Sequence, residues 1–151
     1  MYGFAPNFSY KELTATNTGF KNEATGNNLA RLRSLSHKLQ YIRNIVGKPL
    51  YINSAYRDRL VNSAVGGSRT SFHCIGCAAD VSIMNLDKDE QDKLEKAIYS
   101  SYPREFIKYD TFYHIAYDFS RLGNQGAIMT YEEEIPNSFP PLKSPTGKID
   151  F

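Results

Sequence analysis

Leu29, Leu32, Leu35, Leu39, Ile42 and Val46 fall three or four residues apart, and Gly47 follows the last of them. Steps of three and four return a side chain to the same face of an α-helix. The run therefore predicts one long amphipathic helix, with its lysines and arginines on the opposite face and a glycine to end it. The apolar runs elsewhere are short. Residues 49–54, 78–83, 106–109 and 113–117 read as strands, and 125–130 as one more. Ser9-Tyr10-Lys11-Glu12 and Asp87-Lys88-Asp89-Glu90 both have the spacing of a capping box, which opens a helix by pairing a side chain with a backbone N–H in each direction. The second box starts a helix through Leu94, Ala97 and Ile98 toward Pro103. A short helix over 58–65 is broken by Gly66-Gly67, and the polar stretch 17–28 reads as loop. Helices mixed with short strands in 151 residues predict an α+β fold, a small and mostly antiparallel sheet with flanking helices.

A chain of this length builds its core without disulfide or metal staples. Its formal charge of +2 is nearly balanced, and no stripe of lysine and arginine marks a nucleic-acid surface. The opening residues lack the basic and apolar regions of a secretory signal, and no segment approaches the ~20 apolar residues of a membrane span. These observations predict a protein made in the cytoplasm. From Tyr131 the character changes: Glu132-Glu133-Glu134 precedes Pro136, Pro140, Pro141 and Pro145. We expect one domain over 1–130 and an extended proline-rich tail over 131–151.

The chemistry-bearing residues are concentrated elsewhere. His73 and Asp80 stand seven residues apart, and His114 lies in a later strand-like run. Side chains alternate along a strand, so Ala78, Asp80 and Ser82 share one face, and so do His114 and Ala116. Each of these two candidate ligands has a small neighbour on its own face, which leaves space for an ion and a substrate. Gly76 lets the loop carrying His73 turn back toward them. Two adjacent strands and one loop could then converge on one cation. Two imidazoles and a carboxylate, with a fourth position open, make the donor set of a catalytic rather than a structural zinc site. His37 sits within the long helix without such neighbours and reads as structural.

Ser71-x-His73-x-x-Gly76-x-Ala78-x-Asp80, followed by the apolar-flanked His114, resembles the zinc signature of the M15 peptidases, the D-alanyl-D-alanine carboxypeptidase type of metallopeptidase. The likeness extends through Phe8-Ser9, the long helix, Ser54-Ala55-Tyr56-Arg57 and Val65-Gly66-Gly67-Ser68, so residues 8–118 can be placed. Ala55 stands where the family usually has glycine. The resemblance implies a hedgehog/DD-peptidase-like fold and one zinc ion held by His73, Asp80 and His114. It implies a peptidase cutting the peptidoglycan stem peptide, as D,D-carboxypeptidase or endolysin-type endopeptidase. Small members without a signal resemble phage or prophage endolysins, whose release depends on a partner holin. Arg57 is then the substrate anchor, since its planar fork suits a carboxylate or polarised carbonyl. Ser71 either binds substrate or orients the loop. The family has an acidic residue shortly before the third ligand, three residues ahead in its tightest relatives. Here Thr111 holds that place and Asp110 precedes it. Four extended residues span ~13 Å, so Asp110 can be the general base only if Thr111-Phe112 bulges or turns. We place it ahead of Glu105 and Asp118.

Two rival readings stand beside this one. The same zinc fold could serve as a non-catalytic wall-binding or virion structural module, a reading that the displaced acid keeps open. Cys74-x-x-Cys77 could be a redox dithiol, although such a motif normally opens a helix that lowers the thiol pKa. A zinc knuckle would need a second cysteine pair, and the chain has no further cysteine. The plainest expectation for Cys74 and Cys77 is packing beside the site.

Overall fold

The computed structural model describes residues 3–119. The strand expected over 125–130, the proline-rich tail and the domain boundary at residue 130 lie outside the described residues. In chain order the elements are α1 (Tyr10–Leu13), α2 (Gly26–Val46), β1 (Ile52–Ser54), α3 (Arg59–Ala64), a 3-10 turn (Phe72–Ile75), β2 (Ala78–Ser82), α4 (Lys88–Ser100), β3 (Glu105–Lys108) and β4 (Phe112–Ala116). The strands form one antiparallel sheet in the order β1-β2-β4-β3. This is the α+β architecture that the pattern of helices and short strands predicts.

Local chemistry sets most of the boundaries. α2 begins at Gly26, inside the stretch expected to be loop, and ends at Gly47 in the left-handed conformation (φ 75°), as the glycine stop predicts. Both bonds of the capping box at Asp87 and Glu90 are formed at the start of α4. At α1, the Glu12 N–H donates to the Ser9 hydroxyl at 3.0 Å. Asp58 caps α3 in the same way, taking the Val61 N–H at 2.9 Å. Its carboxylate thus serves the helix terminus.

Alternation along the strands divides the sheet into two faces. Ala79 and Val81 of β2, Phe106 of β3, and Tyr113 and Ile115 of β4 are buried in one core with Leu32, Leu35, Leu39, Ile42 and Val46 of α2 and Leu94, Ala97 and Ile98 of α4. Removal of that much apolar surface from water, at ~25 cal/mol per Å2, is what holds the helices on this face. One α2 residue departs from expectation. The amphipathic pattern predicts Lys38 on the exposed basic face, yet it is only 2% exposed. Its ammonium donates to the Ser101 carbonyl at 2.8 Å, at the C-terminal end of α4, and lies 5.1 Å from the Tyr117 ring centre. A helix C-terminus has carbonyls without intrahelical partners and a partial negative charge, and both favour a cation there. Among the described residues no helix is long and apolar enough to cross a membrane.

Candidate metal centre

The opposite face of the sheet carries the polar residues. Pairing aligns Ile107 of β3 with His114 of β4, His114 with Asp80 of β2, and Asp80 with Ser54 of β1. Cross-strand partners project to the same side, so Asp80 and His114 are direct neighbours on two adjacent strands. His73 reaches them from the 3-10 turn. Ser71 caps that turn by accepting the His73 N–H at 3.1 Å. Gly76 closes it in the left-handed conformation, and a Cβ there would stand 2.5 Å from the Asn28 carbonyl of α2. Only glycine allows both the backbone angle and the close approach to α2.

The segment after β1 holds His73 on two sides. The Arg57 N–H donates to the His73 carbonyl at 3.1 Å, and the His73 Nδ1–H donates to the Ala55 carbonyl at 2.6 Å. A carbonyl can only accept, so the ring proton of neutral His73 sits on Nδ1 and the Nε2 lone pair is free. That Nε2 faces Asp80 Oδ1 at 3.2 Å, and His114 Nδ1 faces the same oxygen at 2.9 Å. On its far side the His114 ring meets Glu105, with Nε2–H donating to the carboxylate at 2.8 Å.

The electrostatics follow from burial and these bonds. Burial pushes the His73 imidazolium pKa down, against the opposing pull of Asp80, so this ring is neutral near pH 7. Burial would raise the Asp80 carboxyl, but bonds from His114 and His73 outweigh it and hold the pKa well below the usual carboxylate range. Burial would also lower His114, yet Asp80 and Glu105 together push it up to about 9. A neutral His73 therefore turns a lone pair toward a carboxylate oxygen, an arrangement that calls for a cation between them. One donor atom from each of His73, Asp80 and His114 lies within 4.8 Å of the other two. Ligands at ~2.0–2.2 Å from a tetrahedral ion stand about 3.3–3.6 Å apart. The two imidazole nitrogens stand 3.2 and 2.9 Å from Asp80 Oδ1, so the donor set fits a divalent ion such as zinc once these contacts open by a few tenths of an ångström.

The three residues line a cleft of about 370 Å3 together with Arg57, Ser71 and Glu105, and Val65, Tyr109 and Phe112 form apolar parts of its wall. Arg57 reaches the cleft with its Nε buried and without a hydrogen-bond partner among the described residues.

Asp110, expected as general base, does not line the cleft. The chain does turn where that role required it, because the Tyr109 N–H donates to the Phe112 carbonyl at 2.9 Å and closes a hairpin around Asp110-Thr111. This turn leaves Asp110 exposed at the hairpin tip. Among the described residues, the acids in the cleft are Asp80 and Glu105. β3 begins at Glu105, one residue before the strand that the sequence pattern predicts over 106–109, and it is Glu105, placed behind Asp110 as a candidate base, that lines the cleft. Pairing outward from the hairpin would have placed Glu105 opposite Ala116, diagonal to His114. The Ala55 carbonyl was also missed, since a backbone acceptor leaves no mark in residue type. Cys74 and Cys77 are free thiols. Burial raises the pKa of both, that of Cys77 to about 12. A redox dithiol needs a lowered thiol pKa, so the packing role is the one this environment supports. His37 bonds the Gly3 carbonyl at 3.0 Å, away from the cleft.

Comparison with known proteins agrees with this geometry. A stretch of 78 residues is 37% identical to the zinc D-Ala-D-Ala carboxypeptidase of Streptomyces albus G. The match covers 50% of this chain and 31% of that relative, so the chain spans about a third of the longer protein's length. The family model for Peptidase M15 matches residues 6–116. That range runs from the approach to α1 through the last residue of β4, and includes every element that builds the cleft. The chain belongs to the Peptidase M15 family.

Proposed function

We propose that the protein is a zinc-dependent peptidase that hydrolyses peptide bonds of the peptidoglycan stem. His73 through Nε2, Asp80 through Oδ1 and His114 through Nδ1 would hold one zinc ion. The observation that carries this reading is the convergence of both imidazoles on one Asp80 oxygen at the floor of a cleft. A bound zinc would supply a water of lowered pKa and a Lewis acid for the scissile carbonyl. The chain's own residues position the peptide around that centre. Arg57 would donate from its unpartnered guanidinium nitrogen to a substrate carboxylate or carbonyl. Ser71 spends its oxygen lone pair on the His73 amide and keeps its hydroxyl proton for a substrate acceptor. Val65, Tyr109 and Phe112 offer apolar contact to the peptide's methyl-bearing side chains. The name of the Streptomyces relative places terminal D-Ala among the residues to be tested first.

The test is zinc content together with turbidity loss of purified peptidoglycan, for the wild type and His114→Ala. About one zinc per chain, with clearing that falls at least ~1,000-fold in the mutant, is expected from losing a ligand of the reacting centre. Zinc binding without clearing of any wall type would leave a binding module in place of an enzyme. Failure to bind zinc at all would overturn the metal centre itself.

A further inference from the structure

We propose that Glu105 is a positioning residue of the metal centre, which fixes the His114 tautomer so that Nδ1 faces the ion. This rests on the reading of His73, Asp80 and His114 as metal ligands. The two histidines are held by the same logic. Each turns one ring nitrogen to Asp80 and the other to a fixed acceptor: the Ala55 carbonyl for His73 at 2.6 Å, the Glu105 carboxylate for His114 at 2.8 Å. An acceptor on the second nitrogen sets which tautomer exists, holds the ring plane and makes the ligating nitrogen a better donor.

Register explains how Glu105 comes to be there. It pairs with Ala116, while His114 pairs with Ile107, so Glu105 and His114 are diagonal neighbours on the cleft face. Diagonal Cα atoms stand ~7–8 Å apart, within reach of a long side chain. Ala116 presents only a methyl group and leaves the diagonal open. A glutamate can cross this gap, whereas an aspartate is one methylene shorter. The Glu105 side chain is 28% exposed, and its ion-pair partner among the described residues is His114.

The same geometry distinguishes positioning from proton transfer. The two nitrogens of an imidazole point away from each other. A carboxylate bonded to Nε2 therefore stands across the ring from anything bound at Nδ1. Glu105 acts through His114 rather than on the attacking water.

The experiment compares Glu105→Ala and Glu105→Gln with the wild type, with zinc affinity measured by chelator competition on folded protein. Removal of such an acceptor typically weakens metal binding 10–100-fold. We expect that loss in Glu105→Ala, and affinity within a few-fold of wild type in Glu105→Gln, whose amide oxygen still accepts the Nε2–H. Nitrogen chemical shifts of His114 in the zinc-loaded protein should show Nε2 protonated in wild type and Glu105→Gln, and a mixed signature in Glu105→Ala. Unchanged zinc affinity in Glu105→Ala would overturn the proposal. A Glu105→Gln protein that binds zinc normally but loses peptidase activity would overturn it too, by making Glu105 the proton acceptor. A wild type that takes up no zinc would overturn the metal centre as well, so the two failures are distinct.

Discussion

The two faces of the sheet are built from alternate residues of the same strands, and they obey opposite rules. On the helix-covered face, Val81, Phe106 and Ile115 are fully buried in one hydrophobic core. On the cleft face, Asp80, Glu105 and His114 are partly open and bonded to one another. One residue of displacement along β4 separates Ile115, which stabilises the fold, from His114, which is placed to do chemistry. The first face is tolerant in sequence, because burial is non-directional and any well-filling apolar set will serve. The second is intolerant, because lone pairs and protons must match one by one.

The sharpest break of this comparison is at Ile115. Ile115→Ala removes buried methyl groups and leaves a cavity, and is expected to cost about 2–5 kcal/mol of stability. Denaturant titration would measure the loss, while zinc affinity of the folded fraction should stay near wild type. A large drop in zinc affinity at unchanged stability would mean that the two faces are not independent.

A smaller effect is expected from pH in the metal-free protein. The raised His114 pKa contributes stability that is complete below about 6.5 and is lost as pH rises through about 9. The lowered His73 pKa works on the other side: below about 6.5 the unfolded chain takes up a proton that the fold resists, and stability falls. Asp80 adds a further loss as pH drops through the carboxylate range. Thermal melts with zinc removed should therefore peak near pH 6.5 and fall on both sides. His114→Ala should flatten the alkaline limb, whereas Ile115→Ala should lower the whole curve without reshaping it. An unchanged alkaline limb in His114→Ala would detach the titration from the cleft.

The smallest effect is expected at Asp110, which lies at the hairpin tip and belongs to neither face. Asp110→Asn should change both stability and peptidase activity by less than a few-fold, within the ±0.5 kcal/mol usual for exposed positions. A loss of activity of 100-fold or more, with zinc retained, would restore Asp110 to the reaction.

The parts legible in the chain were those written in one element at a time. The α2 stripe, the Gly47 stop, the capping box at Asp87 and the alternation that sets Asp80 beside Ala78 and Ser82 all depend on local spacing, and the folded chain keeps them. His73, Asp80 and His114 were also accessible, because Gly76 and two short strands already limit where those side chains can point. Asp110 lies away from the cleft for a specific reason: the chain turns at Asp110-Thr111, as a general base there requires, but the two-residue hairpin loop sends its side chains away from the sheet.

By itself, then, the sequence determined which residues share a face and which chemistry they carry. Periodicity is a property of each helix or strand alone, and capping bonds form within a few residues. Only the tertiary structure decided which faces meet. The pairing of β3 with β4 chose Glu105 over Asp110 as the acid at the cleft, and the packing of α2 against α4 buried Lys38 on the Ser101 carbonyl. Register between strands and the approach of two helices are set by the summed burial of many side chains and by turn geometry. No local pattern around Glu105 or Lys38 records that sum.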